Sequence, residues 1–201
     1  MHTDPYHLDE NPAVAEVDEK KFSDIEQRLF KARTILIYGG INQKLAERVT
    51  ARLLAMQCES DAPITIFINS QGGHVESGDT IYDMIKLVRP EVRIIGTGWV
   101  ASAGALIYSA ARRGNRFSLP NTRFMLHQPS GGSGGSASDI EIQAREILRM
   151  RERLDEIFAR ETGQPLARIA SDTERDHWMT ASEAKDYGLV GNIIASMGEL
   201  P

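Results

Sequence analysis

From Thr34 onward, short apolar runs alternate with apolar positions at helical spacing. The run Thr34–Tyr38 (TILIY) reads as a short buried strand closed by Gly39-Gly40, since a continuous apolar run bounded by turn formers suits a covered sheet position. Asn42 can cap a following helix that carries Leu45, Val49, Leu53 and Met56 on one face and ends near Cys58. Cys58, closing that helix, reads as a small buried hydrophobe. Pro63 opens a second apolar strand, Ile64–Asn69 (ITIFIN). After Gly72-Gly73, the positions Ile81, Met84, Ile85 and Val88 mark a second amphipathic helix, which ends before Pro90. A third strand, Val92–Gly96, runs into GWVASAGALIYSAA, whose small residues suit a close-packed helix, and strand-like pieces follow at Arg116–Leu119 and Arg123–Leu126.

The segment Ser130–Ser136 (SGGSGGS) has the composition of a flexible linker. Beyond it, Ser138 with Glu141 offers a capping box for a long helix that carries Ile140, Ala144, Ile147, Leu154 and Phe158 along one face and stops at Gly163. A helix of that length often projects to pack on something else. A shorter helix follows Pro165, and another spans Ala181–Tyr187, with Thr180 and Glu183 as its capping box and Gly188 beyond its end. Strands alternating with helices predict βαβ units, hence an α/β fold with a largely parallel sheet. Residues 1–21 are acidic, contain Pro5 and Pro12 and have no apolar period, so they read as a flexible tail before one domain over 22–201.

Composition narrows the function more than the fold. A chain of 201 residues is long enough for one domain with a core that needs no disulfide or metal. Its net charge of −5, from 23 basic and 28 acidic residues, disfavours nucleic acid as a partner. A single cysteine excludes a disulfide framework or a cysteine-rich zinc site, and no two histidines share an i, i+4 spacing. No apolar stretch approaches the roughly 18 residues of a membrane span. The first residues also lack the apolar segment of a secretory signal. The expectation is a soluble cytoplasmic protein with no metal or cofactor.

Candidate chemistry centres on VRIIGTGWVASAG. Gly96-x-Gly98-x-x-Ala101 mimics a dinucleotide fingerprint, but the first acid after Glu91 is Asp139, so the ribose partner is missing. Ser102 is the better candidate. It stands at a strand-to-helix junction among small residues, where a carbonyl can approach and the next backbone N–H can meet a developing oxyanion. The competing reading is one small residue among several in a packed helix. Of five histidines, His2 and His7 lie in the tail, His74 follows the paired glycines and His177 adjoins Trp178. That leaves His127, in LHQP, as a base at a strand end or as a structural histidine. The residues alone leave the acid open among Asp139, Asp155, Asp172 and Asp176. Gly72-Gly73 allow positive φ and could present a second oxyanion N–H, or form a plain turn.

The order of these pieces carries a resemblance. INS-x-GG, GWVASAGALIYSA, RFSLPNTRFMLHQP-x-GG, ASDIEIQAREIL, TGQ and ERDHWMTASEAKDYGLV are similar to the Clp protease proteolytic subunit, a self-compartmentalised serine peptidase of the crotonase-like superfamily. The resemblance spans about residues 22–195. It implies a crotonase-like ββα-superhelix with a protruding handle helix, which is the long helix after Ser138. It puts the nucleophile on Ser102, the base on His127 and the acid on Asp176, with oxyanion donors on the N–H groups of Gly73 and Ala103. It further implies that substrate adds as a strand between Gly72–Val75 and the segment of Ser130 and Gly132, which replaces the linker reading. Two stacked heptameric rings, a hexameric AAA+ unfoldase and unfolded protein substrates follow from the same resemblance. No P-loop occurs in the chain, so ATP dependence belongs to the partner.

The chain also departs from the family pattern. Gln71 replaces the proline of NSPGG, Ala103 replaces the methionine after the serine, and Ser130 stands where an apolar residue is common. Gly135-Ser136-Ala137 stands in place of GQA, and the N-terminal segment differs from the family's gate-forming hairpin. These departures imply a divergent second isoform. The alternatives are a mainly structural or regulatory ring subunit that needs a second isoform, and an acyl-CoA enzyme of the same superfamily. The latter is disfavoured by the complete triad and the absence of a basic cluster beside Gly72-Gly73.

Overall fold

The structure, a computed structural model, describes residues 24–130 and 134–201; the expected tail over 1–21 lies outside the described residues. Helix α1, seen over residues 24–31, leads into β1 (Thr34–Ile41), α2 (Gln43–Glu59), β2 (Ile64–Gly73), α3 (Val75–Leu87), β3 (Val92–Ala101) and α4 (Ala103–Ser109). There follow β4 (Arg116–Ser118), β5 (Arg123–Leu126), α5 (Ala137–Thr162), α6 (Leu166–Asp172), β6 (His177–Thr180), α7 (Ala181–Tyr187) and β7 (Asn192–Ile193).

β1, β2 and β3 pair in parallel, as the alternation of strands and helices predicts. β3 then forks. Its first half, Ile94–Gly96, pairs with β4, and its second half, Trp99–Ala101, pairs with β5. β7 joins β4 in parallel, whereas β6 runs antiparallel to β5 and is the exception to the expected parallel sheet. The fork is what positions the site: Ser102 leaves the end of β3 beside the strand that carries His127.

One sheet face supports the core. Alternate residues of β1 and β2 (Ile35, Ile37, Ile64, Ile66, Ile68) are buried under Leu45, Val49, Leu53 and Met56 of α2 and Ile81 and Ile85 of α3. At roughly 1.5–3 kcal/mol per fully buried large side chain, this layer is the main source of stability. β1 differs from expectation, because its other face is open: Leu36 and Tyr38 are exposed. The strand is half-buried because the described residues place helices against one face only.

The helix ends follow local chemistry. The Asn42 side chain accepts from the Leu45 N–H at 2.9 Å, and Thr180 with Glu183 forms the expected capping box. Gly163 ends α5 with φ of 79°. The start of α5 corrects the sequence reading: the box is Ser136 with Asp139, two positions before Ser138 and Glu141, so the helix gains a turn fragment and runs 26 residues. Cys58 corrects another, since it is exposed. It lies two positions past the inward-facing Met56, about 200° round a helix, which turns it to solvent.

Candidate active site

Ser102 sits between β3 and α4 with φ of 55° and ψ of −124°, one of two non-glycine residues with positive φ among those described. Such a conformation costs on the order of 1–3 kcal/mol and persists only where surroundings hold it. Here its N–H donates to the Met125 carbonyl of β5 (2.9 Å), and its carbonyl accepts from Ala105 and Leu106 as α4 begins. The hydroxyl is thereby turned outward, and Oγ lies 2.7 Å from Nε2 of His127. Nδ1 of His127 faces Oδ1 of Asp176 at 3.3 Å.

The other three candidate acids have different partners. Asp139 caps α5. Asp155 is buried and accepts from the Thr173 hydroxyl at 2.9 Å, while Asp172 accepts from Tyr187 at 2.8 Å. Asp176 alone of the four reaches His127. Its loop is held through its neighbours: Gln128 N–H donates to the Thr173 carbonyl (2.8 Å), Gln128 Nε2 to the Glu174 carbonyl (2.9 Å), and Arg151 of α5 to the Glu174 carboxylate (2.6 Å).

The floor of the site is glycine by necessity. Gly72, at φ 99°, lies so near the serine that a Cβ there would come within 2.6 Å of Ser102 Cβ. Gly73 lies against β1, where a Cβ would meet the Ile41 carbonyl oxygen at 2.3 Å. Rather than forming a plain turn, these residues continue β2, paired with Gly40 and Ile41. The Ile41 carbonyl accepts from His74 N–H at 2.9 Å. In a parallel ladder that leaves the N–H of Gly73, Ile41's register partner, facing away from β1. Ala103 opens α4, where the first helical N–H groups lack an intrahelical acceptor. Both groups are donors available to an oxyanion.

Val75 lines a narrow apolar recess beside Ser102 and His127, together with Ala103, Leu106, Pro129, Leu154 and Phe158. The last four are residues that sequence reasoning did not assign to the site. The signal for Leu154 and Phe158 was present in the apolar stripe of α5, but only the docking of that helix turns it toward Ser102. Ser130 is exposed beyond Pro129 and belongs to no strand, and Gly132 lies outside the described residues. Among the described residues, no group of metal-ligating side chains occurs and no helix is long and apolar enough to cross a membrane.

A strained serine bonded to a histidine, with a carboxylate behind the histidine and backbone donors beside the serine, is the constellation of a serine-type hydrolase on an α/β scaffold. Comparison with known proteins agrees and goes further. The family profile described as Clp protease matches residues 17–197. ATP-dependent Clp protease proteolytic subunit 3 of Rhizobium etli is 62% identical over 177 residues, covering 88% of this chain and 91% of the relative. Subunit 2 of Pseudomonas aeruginosa is 57% identical, covering 85% of each chain. ClpP1 from Listeria monocytogenes superposes with a TM-score of 0.80 at 55% identity, over 88% of this chain and 99% of that one. The chain belongs to the Clp protease family: it has the crotonase-like fold with a handle helix and is a serine-type endopeptidase. Membership implies a ring-forming subunit that works with an ATPase partner.

Proposed function

We propose that Ser102, His127 and Asp176 form the catalytic triad of this peptidase. Ser102 Oγ attacks the peptide carbonyl as His127 Nε2 takes its proton, and the same proton then goes to the leaving amine. Asp176 holds the imidazole with Nδ1 protonated and stabilises the cation. The N–H groups of Gly73 and Ala103 hold the tetrahedral oxyanion, and water then releases the acyl-enzyme. Substrate pairs as an added strand with Gly72–Val75 on one side and Ser130 and Gly132 on the other, so most recognition is of backbone and cleavage is broad. The apolar recess by Val75 favours an apolar side chain next to the scissile bond. The observation that carries this reading is the 2.7 Å Ser102–His127 contact at a positive-φ serine.

The subunits assemble into two stacked heptameric rings, homomeric or mixed with a second isoform, served by a hexameric AAA+ unfoldase in the cytoplasm. The outer half of α5 supports this: Ile140, Ile142 and Leu148 are exposed, and its ion pairs, Glu141–Arg145 and Glu146–Arg149, are local to the helix. The test is hydrolysis of a short fluorogenic peptide by the purified chain beside Ser102→Ala, with particle mass recorded on the same samples. Turnover lost only in the variant supports the reading. Turnover that persists in Ser102→Ala refutes it, and a fully assembled particle without turnover points instead to a regulatory subunit.

A further inference from the structure

The strands on both sides of the glycine floor leave their regular register at the same level. The β1–β2 ladder shifts between Tyr38 and Gly40, and the β2–β3 ladder between Ile68 and Ser70. A strand that loses its ladder on both edges needs other partners for its backbone, or it moves. Two side chains supply them. Ser70, fully buried, donates its hydroxyl to the Gly39 carbonyl at 2.6 Å and accepts from the Gly72 N–H at 3.0 Å. Those two bonds use its one donor and one of its lone pairs. The adjacent Gln71 reaches the same bulge: with its amide oriented to suit the network, Nε2 donates to the Gly39 carbonyl (3.3 Å) and Oε1 accepts from the Gly40 N–H (3.2 Å). Ser70 also lies under the nucleophile's helix, since a Cβ on Gly104 would meet Ser70 Cβ at 3.2 Å.

We propose that Ser70 and Gln71 are positioning residues of the oxyanion site, clamping Gly72-Gly73 to the β1 bulge at Gly39-Gly40. The clamp holds Gly72 against Ser102 and fixes the direction of the Gly73 N–H. Neither side chain touches substrate. Gln71 thus takes over, with two hydrogen bonds, the stiffening that a proline ring would give at this position. The inference rests on the reading of Gly73 as an oxyanion donor.

The test separates transition-state from ground-state effects, which a merely structural role would not split. Ser70→Ala, Gln71→Ala and Gln71→Glu are compared with the parent for peptide kcat and KM, for inhibition by a peptide boronate, and for binding of a non-covalent product peptide. Glutamate can still accept from Gly40 but cannot donate to Gly39. Ser70→Ala is expected to lower kcat about tenfold with KM unchanged, in line with a partly misplaced oxyanion donor. Gln71→Glu, which loses one hydrogen bond, is expected to lower it about fivefold, and Gln71→Ala, which loses both, by more. Boronate inhibition should weaken by the same factors, while product-peptide binding stays constant. Gln71 is exposed, so its variants keep the test standing if Ser70→Ala fails to assemble. Unchanged kcat and boronate inhibition in the assembled Gln71 variants would overturn the clamp. Failure of the boronate to inhibit the active parent would instead remove the oxyanion reading on which the clamp rests.

Discussion

Ser102 and Asp176 stand on opposite sides of His127, yet their surroundings differ in kind. Around Ser102 the neighbours are backbone and Cβ atoms: Gly72 leaves no room for a methyl, and a Cβ at Gly78 or Gly104 would lie 3.1 Å from Ala103 Cβ or 3.2 Å from Ser70 Cβ. The Asp176 side chain is 61% exposed, and its loop is held by a few polar ties to Gln128 and to Arg151 and Asp155 of α5. Close packing admits one arrangement or none, because interiors are dense and compress little. Such polar ties, the buried Thr173–Asp155 bond apart, are individually worth about 1 kcal/mol or less and can be lost one by one. The proposed nucleophile is therefore fixed by the core, while the proposed acid depends on polar ties to the handle helix.

That contrast can be broken at either end. Asp176→Asn should have the largest effect after removal of the serine itself: turnover falls on the order of 10³-fold, because an amide favours the wrong imidazole tautomer, while particle mass is unchanged. Near-normal rates in the peptide assay would mean that another acid serves His127. Gly72→Ala should cost about 100-fold, the penalty of displacing a reacting group by around an ångström. Because the added methyl would lie 2.6 Å from Ser102 Cβ, the loss should fall on kcat, and retained activity would show that the shelf yields. On the acid side, Thr173→Val removes only one tie and should cost about fivefold. A loss as deep as that of Gly72→Ala would erase the distinction between the two regions.

The smallest effect on turnover is expected at the root of α5, where the change shows in stability. Arg116, buried, donates to the Glu161 carboxylate at 2.7 Å, and the same carboxylate accepts from Lys86 (2.8 Å) and Tyr82 (2.7 Å). Burial alone would raise the Glu161 pKa, but the bonds from Lys86 and Tyr82 and the charges of Lys86 and Arg116 together hold it below the usual 4.5. For a depressed carboxylate the stabilisation is present above the unfolded value and lost as pH falls through the folded one. The melting temperature of the parent should therefore drop steeply below pH 4.5. Glu161→Gln should melt lower at neutral pH, by about 3 kcal/mol of lost stability from an unpaired buried Arg116, and respond less to acid. A parallel pH dependence in the two proteins would show that Glu161 is not the responsible group. The Tyr82 hydroxyl, pushed up to about 12 by burial and by the neighbouring Glu161, stays neutral throughout.

Much of the scaffold is legible in the sequence because its determinants are local. Asn42, the Thr180–Glu183 box and Gly163 act within a turn of where they stand. The start of α5 is read two residues late because Ser136–Asp139 and Ser138–Glu141 have the same spacing, and only the fold chooses between them. β6 escapes notice because His177–Thr180 has four residues and pairs with a strand about fifty positions earlier, a long-range choice with no local signal. Ser102 and His127 can be proposed from residue type and strand-end position. The proposed acid cannot, since Asp139, Asp155, Asp172 and Asp176 all stay open until the β5–β6 pairing brings one of them to His127. The clamp at Ser70 and Gln71 is invisible in the sequence for the same reason: Gly39 lies 31 residues from Ser70.

In the proposed triad, a core-fixed Ser102 is made nucleophilic by His127. This is tested most directly by treating the assembled particle with a serine-reactive fluorophosphonate and mapping the modified residue by peptide mass spectrometry, beside His127→Ala. Label is expected on Ser102 alone, with labelling at least about 100-fold slower in the variant, the lower end of a general-base contribution. Label on a different serine, or equal labelling of Ser102 in His127→Ala, would contradict it.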